Sequence, residues 1–261
     1  MASQRTLLLL GLFALGAVAS PPQGRILGGE DVLAGEYPWS ASLRVDKTHV
    51  GSATIISNTK LLTAGHLVSK IGTTPLSVSS VAVRVGSINQ YAGGIIYDVC
   101  DIVIHPSYGN FVHDIAVLTL CDELEYTEKI AAATLPTKAE EPEEGEDAPV
   151  TELPNGTPVY VAGWGEQTDG TLAYKQQKSN FNTLSSSNCE YECGFGYEHS
   201  LCLTTGSNQG ICRGDAGSAV LDDDNVLVGL ASFNFGDCGS DYPNIAVRIY
   251  YYLDWINSLL E

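Results

Sequence analysis

Short runs of β-branched and aromatic residues recur along the chain, each cut off by Gly, Pro, Asn or Ser. Thr54-Ile55-Ile56, Val81–Val85, Ile115–Leu118, Val159–Ala162 and Val226–Leu230 are the clearest. Many short runs at this spacing argue for an all-β barrel or sandwich rather than for alternating strands and helices. Asp222-Asp223-Asp224-Asn225 lies between two such runs and reads as a hairpin turn, its carboxylates forming the turn rather than holding a metal. Near the C-terminus, Tyr252, Trp255, Ile256 and Leu259 share one face at helical spacing, which predicts a terminal helix over 250–260.

Residues 139–152 hold seven acids, two prolines and no aromatic side chain. Such a stretch cannot bury apolar area and is expected to be an exposed linker. It divides 26–261 into an N-terminal half, 26–138, and a C-terminal half, 153–261, each long enough for a small β domain. The chain starts with Arg5, an apolar run from Leu7 to Ala19 and small residues at Ala17-Val18-Ala19. That pattern predicts a cleaved signal peptide at 1–19 and a secreted protein. No later segment has the roughly 18 apolar residues needed to cross a bilayer, so no membrane association is expected.

The chain carries 13 basic and 31 acidic residues, a net charge of −18. A field of that sign disfavours nucleic acid and anionic membrane surfaces as partners. It suits cationic partners, or simply solubility. Seven cysteines in a secreted chain imply disulfides with one thiol left over. Cys100 and Cys121 fall on neighbouring predicted strands and are expected to pair.

Thr63-Ala64-Gly65-His66, His113-Asp114-Ile115-Ala116 and Cys212-Arg213-Gly214-Asp215-Ala216-Gly217 follow one another in the chain. These segments resemble, in order, the histidine, aspartate and serine motifs of the trypsin/chymotrypsin-like serine protease family (S1). Arg25-Ile26-Leu27-Gly28-Gly29, Tyr37-Pro38-Trp39, His105-Pro106 and Gly163-Trp164-Gly165 extend the resemblance from Ile26 to the C-terminus. It implies two six-stranded antiparallel Greek-key β-barrels of chymotrypsin type with a C-terminal helix. By that template His66 would be the general base and Asp114 would orient its ring. Backbone N–H groups of Gly214 and of position 216 would form the oxyanion hole. The nucleophile position, however, is Ala216, which has no lone pair to attack a carbonyl. Ser218, two residues on, is too far displaced to substitute.

Other departures accompany it. The family cysteine beside the histidine is Leu67 here, and its partner position is Gly51. In the implied substrate pocket the floor falls at Gly210, where trypsins carry an aspartate. Ser232 and Phe233 precede Asn234, and Asn244 follows Pro243; asparagines at these wall positions are expected to narrow or fill the pocket. Recognition of Arg or Lys is therefore not expected.

Arg25-Ile26 resembles the family's zymogen cleavage site, making 20–25 an activation propeptide cut by a trypsin-like protease. The freed Ile26 amino group would then pair with Asp215. The resemblance also implies a Cys212–Cys238 bridge, and pairing of Cys202 with either Cys189 or Cys193. The 87–94 loop lacks carboxylates, so no calcium site is expected there, and neither metal nor cofactor is expected elsewhere. Asn155-Gly156-Thr157 is a glycosylation sequon followed by Pro158. Taken together, the expectation is a monomeric, catalytically inactive serine protease homologue of insect type. It would bind proteins or peptides, among them active proteases or their substrates, and regulate proteolysis. The alternative is an active serine endopeptidase recorded with a Ser-to-Ala substitution.

Overall fold

The computed structural model describes residues 29–138 and 153–260, except 168, 205, 207 and 208. The expected signal peptide, propeptide, Arg25, Ile26 and acidic linker lie outside the described residues. A short strand, β1 (Glu30–Asp31), leads into the first barrel, made of β2 (Ser40–Val45), β3 (Thr48–Ile55), β4 (Lys60–Thr63) and three later strands. Between them come helix α1 (Gly65–Val68) and a small hairpin, β5 (Ser69–Ile71) with β6 (Thr74–Pro75). The barrel is completed by β7 (Val81–Val85), β8 (Ile95–Ile104) and β9 (Ala116–Leu120). Its strand order is β2-β3-β4-β9-β8-β7, and β7 pairs back onto β2.

The second barrel contains β10 (Pro158–Gly163), β11 (Gln177–Leu184), β12 (Ser200–Thr204), β13 (Ala219–Leu221), β14 (Leu227–Asn234) and β15 (Asn244–Arg248). Helix α2 (Ser186–Cys193) sits between β11 and β12. The order β11-β10-β13-β14-β15-β12 closes through a β11–β12 pairing, and β1 extends the β11 edge. Counted within each barrel, both follow the same first-second-third-sixth-fifth-fourth path. The expected pair of six-stranded antiparallel Greek-key barrels is therefore present, as a topological repeat that the residues themselves do not display.

The sequence runs map onto strands for a simple reason. Val81–Val85 alternates buried and half-buried side chains, and Gln177–Leu184 alternates buried with half-buried or exposed ones, as a strand with one face on a core must. Asp222 Oδ1 accepts hydrogen bonds from the N–H groups of Asp224 and Val226, so the aspartate run folds its own turn. The terminal helix is shorter than the periodicity predicts. Ile249–Tyr252 forms a 3₁₀ turn before α3 (Leu253–Ser258), with Ile249, Tyr252 and Leu253 buried in one cluster.

A cluster between the barrels fixes their relation. Leu62, Ile115 and Val117 of the first pack with Leu221, Leu227, Leu230 and Val247 of the second and with the terminal helix. Each such side chain contributes roughly 1.5–3 kcal/mol when fully buried. The loops that carry the catalytic motifs meet along this seam.

Candidate active site

His66 lies in α1, directly after β4. Its Nδ1 donates to Asp114 Oδ2 at 2.8 Å, and its backbone N–H donates to Asp114 Oδ1 at 2.7 Å. Asp114 is buried, and its Oδ2 also accepts a hydrogen bond from the Ser232 hydroxyl. The carboxylate is thus saturated, and the ring is held with Nδ1 protonated and Nε2 left as the acceptor. Ser232 was expected only as a pocket wall; its hydroxyl binds the aspartate.

Ala216 is buried in the 212–218 loop. Its carbonyl accepts from Ser52 N–H at 2.7 Å, and Thr54 Oγ1 donates to Gly217 O at 3.2 Å. The nucleophile loop of the second barrel is thereby stitched to β3 of the first. A Cβ on Gly51 would lie 2.5 Å from Leu67 Cδ1 and 2.8 Å from the Ala216 carbonyl oxygen. Leucine at 67 thus occupies the space that a side chain at 51 would need. The two departures from the family disulfide are one small-for-large exchange beside His66.

Gly214 has φ +98°, a region closed to most residues with a Cβ. Neither Gly214 N–H nor Ala216 N–H donates to any described residue. Both donors remain available to a ligand oxygen. His49, which sequence reasoning did not assign to the site, pins this loop from behind: its Nε2 donates to Gly214 O at 3.2 Å, and Ser42 Oγ donates to its Nδ1 at 2.8 Å. Burial pulls the His49 pKa down to about 4, so the ring is neutral and can accept at Nδ1.

Asp215 is fully buried. Its Oδ1 accepts from Gly165 N–H at 2.7 Å and its Oδ2 from Cys212 N–H at 3.0 Å. A Cβ at Gly165 would sit 2.0 Å from Oδ2, so only glycine admits the carboxylate here. No described cation approaches it, and burial raises its pKa to about 7. Its expected partner, Ile26, lies outside the described residues.

In the pocket region Asn244 is buried, and its Oδ1 accepts from Ile211 N–H at 2.8 Å. The same oxygen would be 3.3 Å from a Cβ on Gly210. The carboxamide therefore occupies the space beside the expected floor. Asn234 instead donates to the carbonyls of Gly236 and Asp237 in its own loop. Phe233 forms an aromatic cluster with Phe111 and Phe195, ring centroids 5.2 Å away in each case. Phe111 also lies 5.1 Å from the His66 ring. No motif singles out Phe111; it lies in a turn where Asn110, Phe111 and His113 all adopt positive φ.

Three disulfides join Cys100 to Cys121, Cys189 to Cys202 and Cys212 to Cys238, leaving Cys193 free. The open choice for Cys202 is settled by α2: Cys189 faces inward and fully buried, whereas Cys193 sits half-buried at the helix end. Among the described residues no helix is long and apolar enough to cross a membrane.

Comparisons with known proteins agree with this geometry. The Trypsin family model matches residues 26–256. The chain is 29% identical over 242 residues to Trypsin alpha of Drosophila erecta, covering 90% of this chain and 87% of that protein. It is 26% identical to Chymotrypsin-2 of Vespa crabro over 235 residues, 88% of this chain and 98% of that one. The structure of neuropsin, a serine protease of mouse brain, superposes with a TM-score of 0.76 at 22% identity, covering 90% of this chain and all of the other.

Proposed function

The chain belongs to the trypsin family, and on that footing we propose that it is a secreted, catalytically silent member that binds proteins or peptides and regulates proteolysis. The observation that carries this reading is Ala216. A base already oriented by Asp114 and Ser232 has no hydroxyl to deprotonate at the position where the family keeps one. The free N–H groups of Gly214 and Ala216 still offer a peptide carbonyl two donors, so they support binding without turnover. Asn244 beside Gly210 disfavours a long basic side chain in the pocket. Phe111, Phe233 and Phe195 favour apolar side chains along the cleft.

In this reading a trypsin-like protease cuts after Arg25, and the new Ile26 ammonium pairs with Asp215. The cleavage then orders the cleft for a partner instead of for chemistry. The protein acts as a monomer, with 1–19 a signal peptide and 20–25 the propeptide.

One observation favours a second reading, an active endopeptidase whose residue 216 is natively serine: the His66–Asp114–Ser232 linkage is intact. A single experiment separates the two. The A216S variant is cleaved after Arg25, then treated with a serine-directed phosphonate and a panel of peptides. Inertness supports the silent homologue. Rapid labelling and enzyme-like turnover favour the second reading, and so does peptide hydrolysis by unmodified protein from its native source.

A further inference from the structure

Three of the five histidines stack on one another outside the His66 site. His105 follows β8, His113 precedes β9, and His199 precedes β12 in the other barrel. The His105 and His113 rings lie 5.1 Å apart at 24°, and those of His113 and His199 lie 4.2 Å apart at 25°. Tyr197 continues the column 5.1 Å beyond His199, its ring nearly parallel at 8°. The column therefore crosses from one barrel to the other, and its middle member is the neighbour of Asp114.

The backbone makes that neighbour matter. His113 holds φ +53°, an uncommon conformation for a residue with a Cβ. Its carbonyl accepts from Ile115 N–H at 2.8 Å, so Asp114 sits at the tip of a tight turn. The His105 N–H donates to Ile115 O, and the Arg248 N–H donates to His199 O. Each ring is thus tied to the strand that presents it. Moving the His113 ring away from His199 moves the turn that aims Asp114 at His66.

The surroundings suit neutral rings only. The β8–β9 segment contributes His105, Tyr108, His113 and Asp114. The segment before β12 contributes Tyr197, Glu198 and His199. Arg248, Tyr250, Tyr251 and Tyr252 come from β15 and the 3₁₀ turn, and Asp254 and Trp255 from α3. Of these, Tyr252 Oη lies 2.7 Å from His113 Nδ1. Asp114 is committed to His66 and Ser232, and Asp254 to Lys138 at 2.7 Å. No described carboxylate bonds any ring of the column. The Nε2 of His199 is buried without a hydrogen-bond partner. Among the described residues no group of three His, Cys, Asp or Glu is placed to hold a metal. Burial pulls His105 and His199 down to about 4 and lowers His113 as well, with the neighbouring rings adding to the effect at His105 and His199.

We propose that the histidine column is an acid-sensitive clasp between the barrels. Neutral, it holds the Asp114 turn against the second barrel. Protonated, the stacked rings repel one another, and the 105–114 segment loosens, opening the cleft beside His66. The sign follows from the lowered proton affinities. The clasp is at full strength above the ordinary histidine value near 6.5. It is lost progressively as the pH falls from there through about 4. The device is independent of whether residue 216 can attack a peptide, so its failure would leave the functional reading untouched.

Hydrogen exchange of the full-length, disulfide-intact chain tests it, at about pH 7 and about pH 5, with times corrected for intrinsic exchange. Peptides spanning 105–114 are expected to lose about tenfold more protection on acidification than peptides from β3 or β14. H199F keeps a stacking ring and removes no hydrogen bond at Nε2, yet cannot take up charge; it is expected to abolish that selective loss. Uniform or absent loss in the natural chain overturns the proposal, as does an H199F profile equal to the natural one. If H199F fails to fold, proton NMR of the natural chain, with each ring assigned, decides. His105, His113 and His199 still neutral at about pH 5.5 support the clasp, and titration of any of these three near 6.5 overturns it.

Discussion

Replacing Asp215 by asparagine removes a buried charge and leaves the shape of the side chain almost unchanged. In the chain uncut at Arg25, the Asp215 carboxyl is fully buried, and burial has raised its pKa from 3.8 to about 7. A proton affinity raised by folding stabilises the folded state fully below the unfolded value, and that contribution is lost as the pH climbs through about 7. Three units or so of displacement correspond to roughly 4 kcal/mol. The asparagine can keep the Gly165 N–H bond on its oxygen but must set its amide against the Cys212 N–H, costing about 1–3 kcal/mol. D215N is therefore expected to be less stable than the uncut natural chain at about pH 4 and more stable at about pH 8, the difference swinging by roughly 4 kcal/mol. Urea unfolding followed by tryptophan fluorescence at several pH values measures it. His49 and the stacked histidines titrate in the opposite sense, but they are common to both proteins and cancel in the difference. Parallel stability curves would refute the reasoning, because they would mean that the Asp215 carboxyl ionises at no cost in its pocket. After cleavage at Arg25 the natural chain, but not D215N, is expected to gain stability at about pH 8, where the Ile26 ammonium offsets the charge.

The double variant G51C/L67C places thiols where Leu67 now fills the space over Gly51; oxidation is expected to add a fourth bridge and a gain below the roughly 3 kcal/mol of a loop of this size, because the new Cβ at 51 presses on the Ala216 carbonyl. Mass spectrometry and non-reducing thermal melts read the bridge and the gain. Asn244→Gly empties the space beside Gly210 and strands the Ile211 N–H; a loss of about 1–3 kcal/mol is expected in urea unfolding. Alkylation of the native protein is expected to label Cys193 alone, and slowly at neutral pH, since burial raises its thiol pKa; peptide mapping after iodoacetamide reports both.

How far the sequence reached can be judged residue by residue. Val81–Val85 is legible because a strand with one face on a core enforces a period of two over a few neighbours. The Asp222–Asn225 turn was legible because the aspartate binds backbone within four positions. The periodicity of 250–260 marks the buried face of the terminal helix but not that its first turn, Ile249–Tyr252, is 3₁₀, since both forms bury the same side chains. The pairing of Cys202 stayed open because Cys189 and Cys193 are one helical turn apart, and only the packing of α2 makes them differ.

The order His66, Asp114, Gly214–Gly217, and the absence of an attacking oxygen at 216, are properties of covalent chemistry and are complete in the sequence. The Ser232 hydroxyl on Asp114, the Asn244 carboxamide on Ile211 N–H, the Phe111 ring against His66 and the His113 ring on His199 join residues 33 to 118 positions apart. Chain closure brings such groups together through the shared core between the barrels, and nothing short-range in the sequence encodes that meeting.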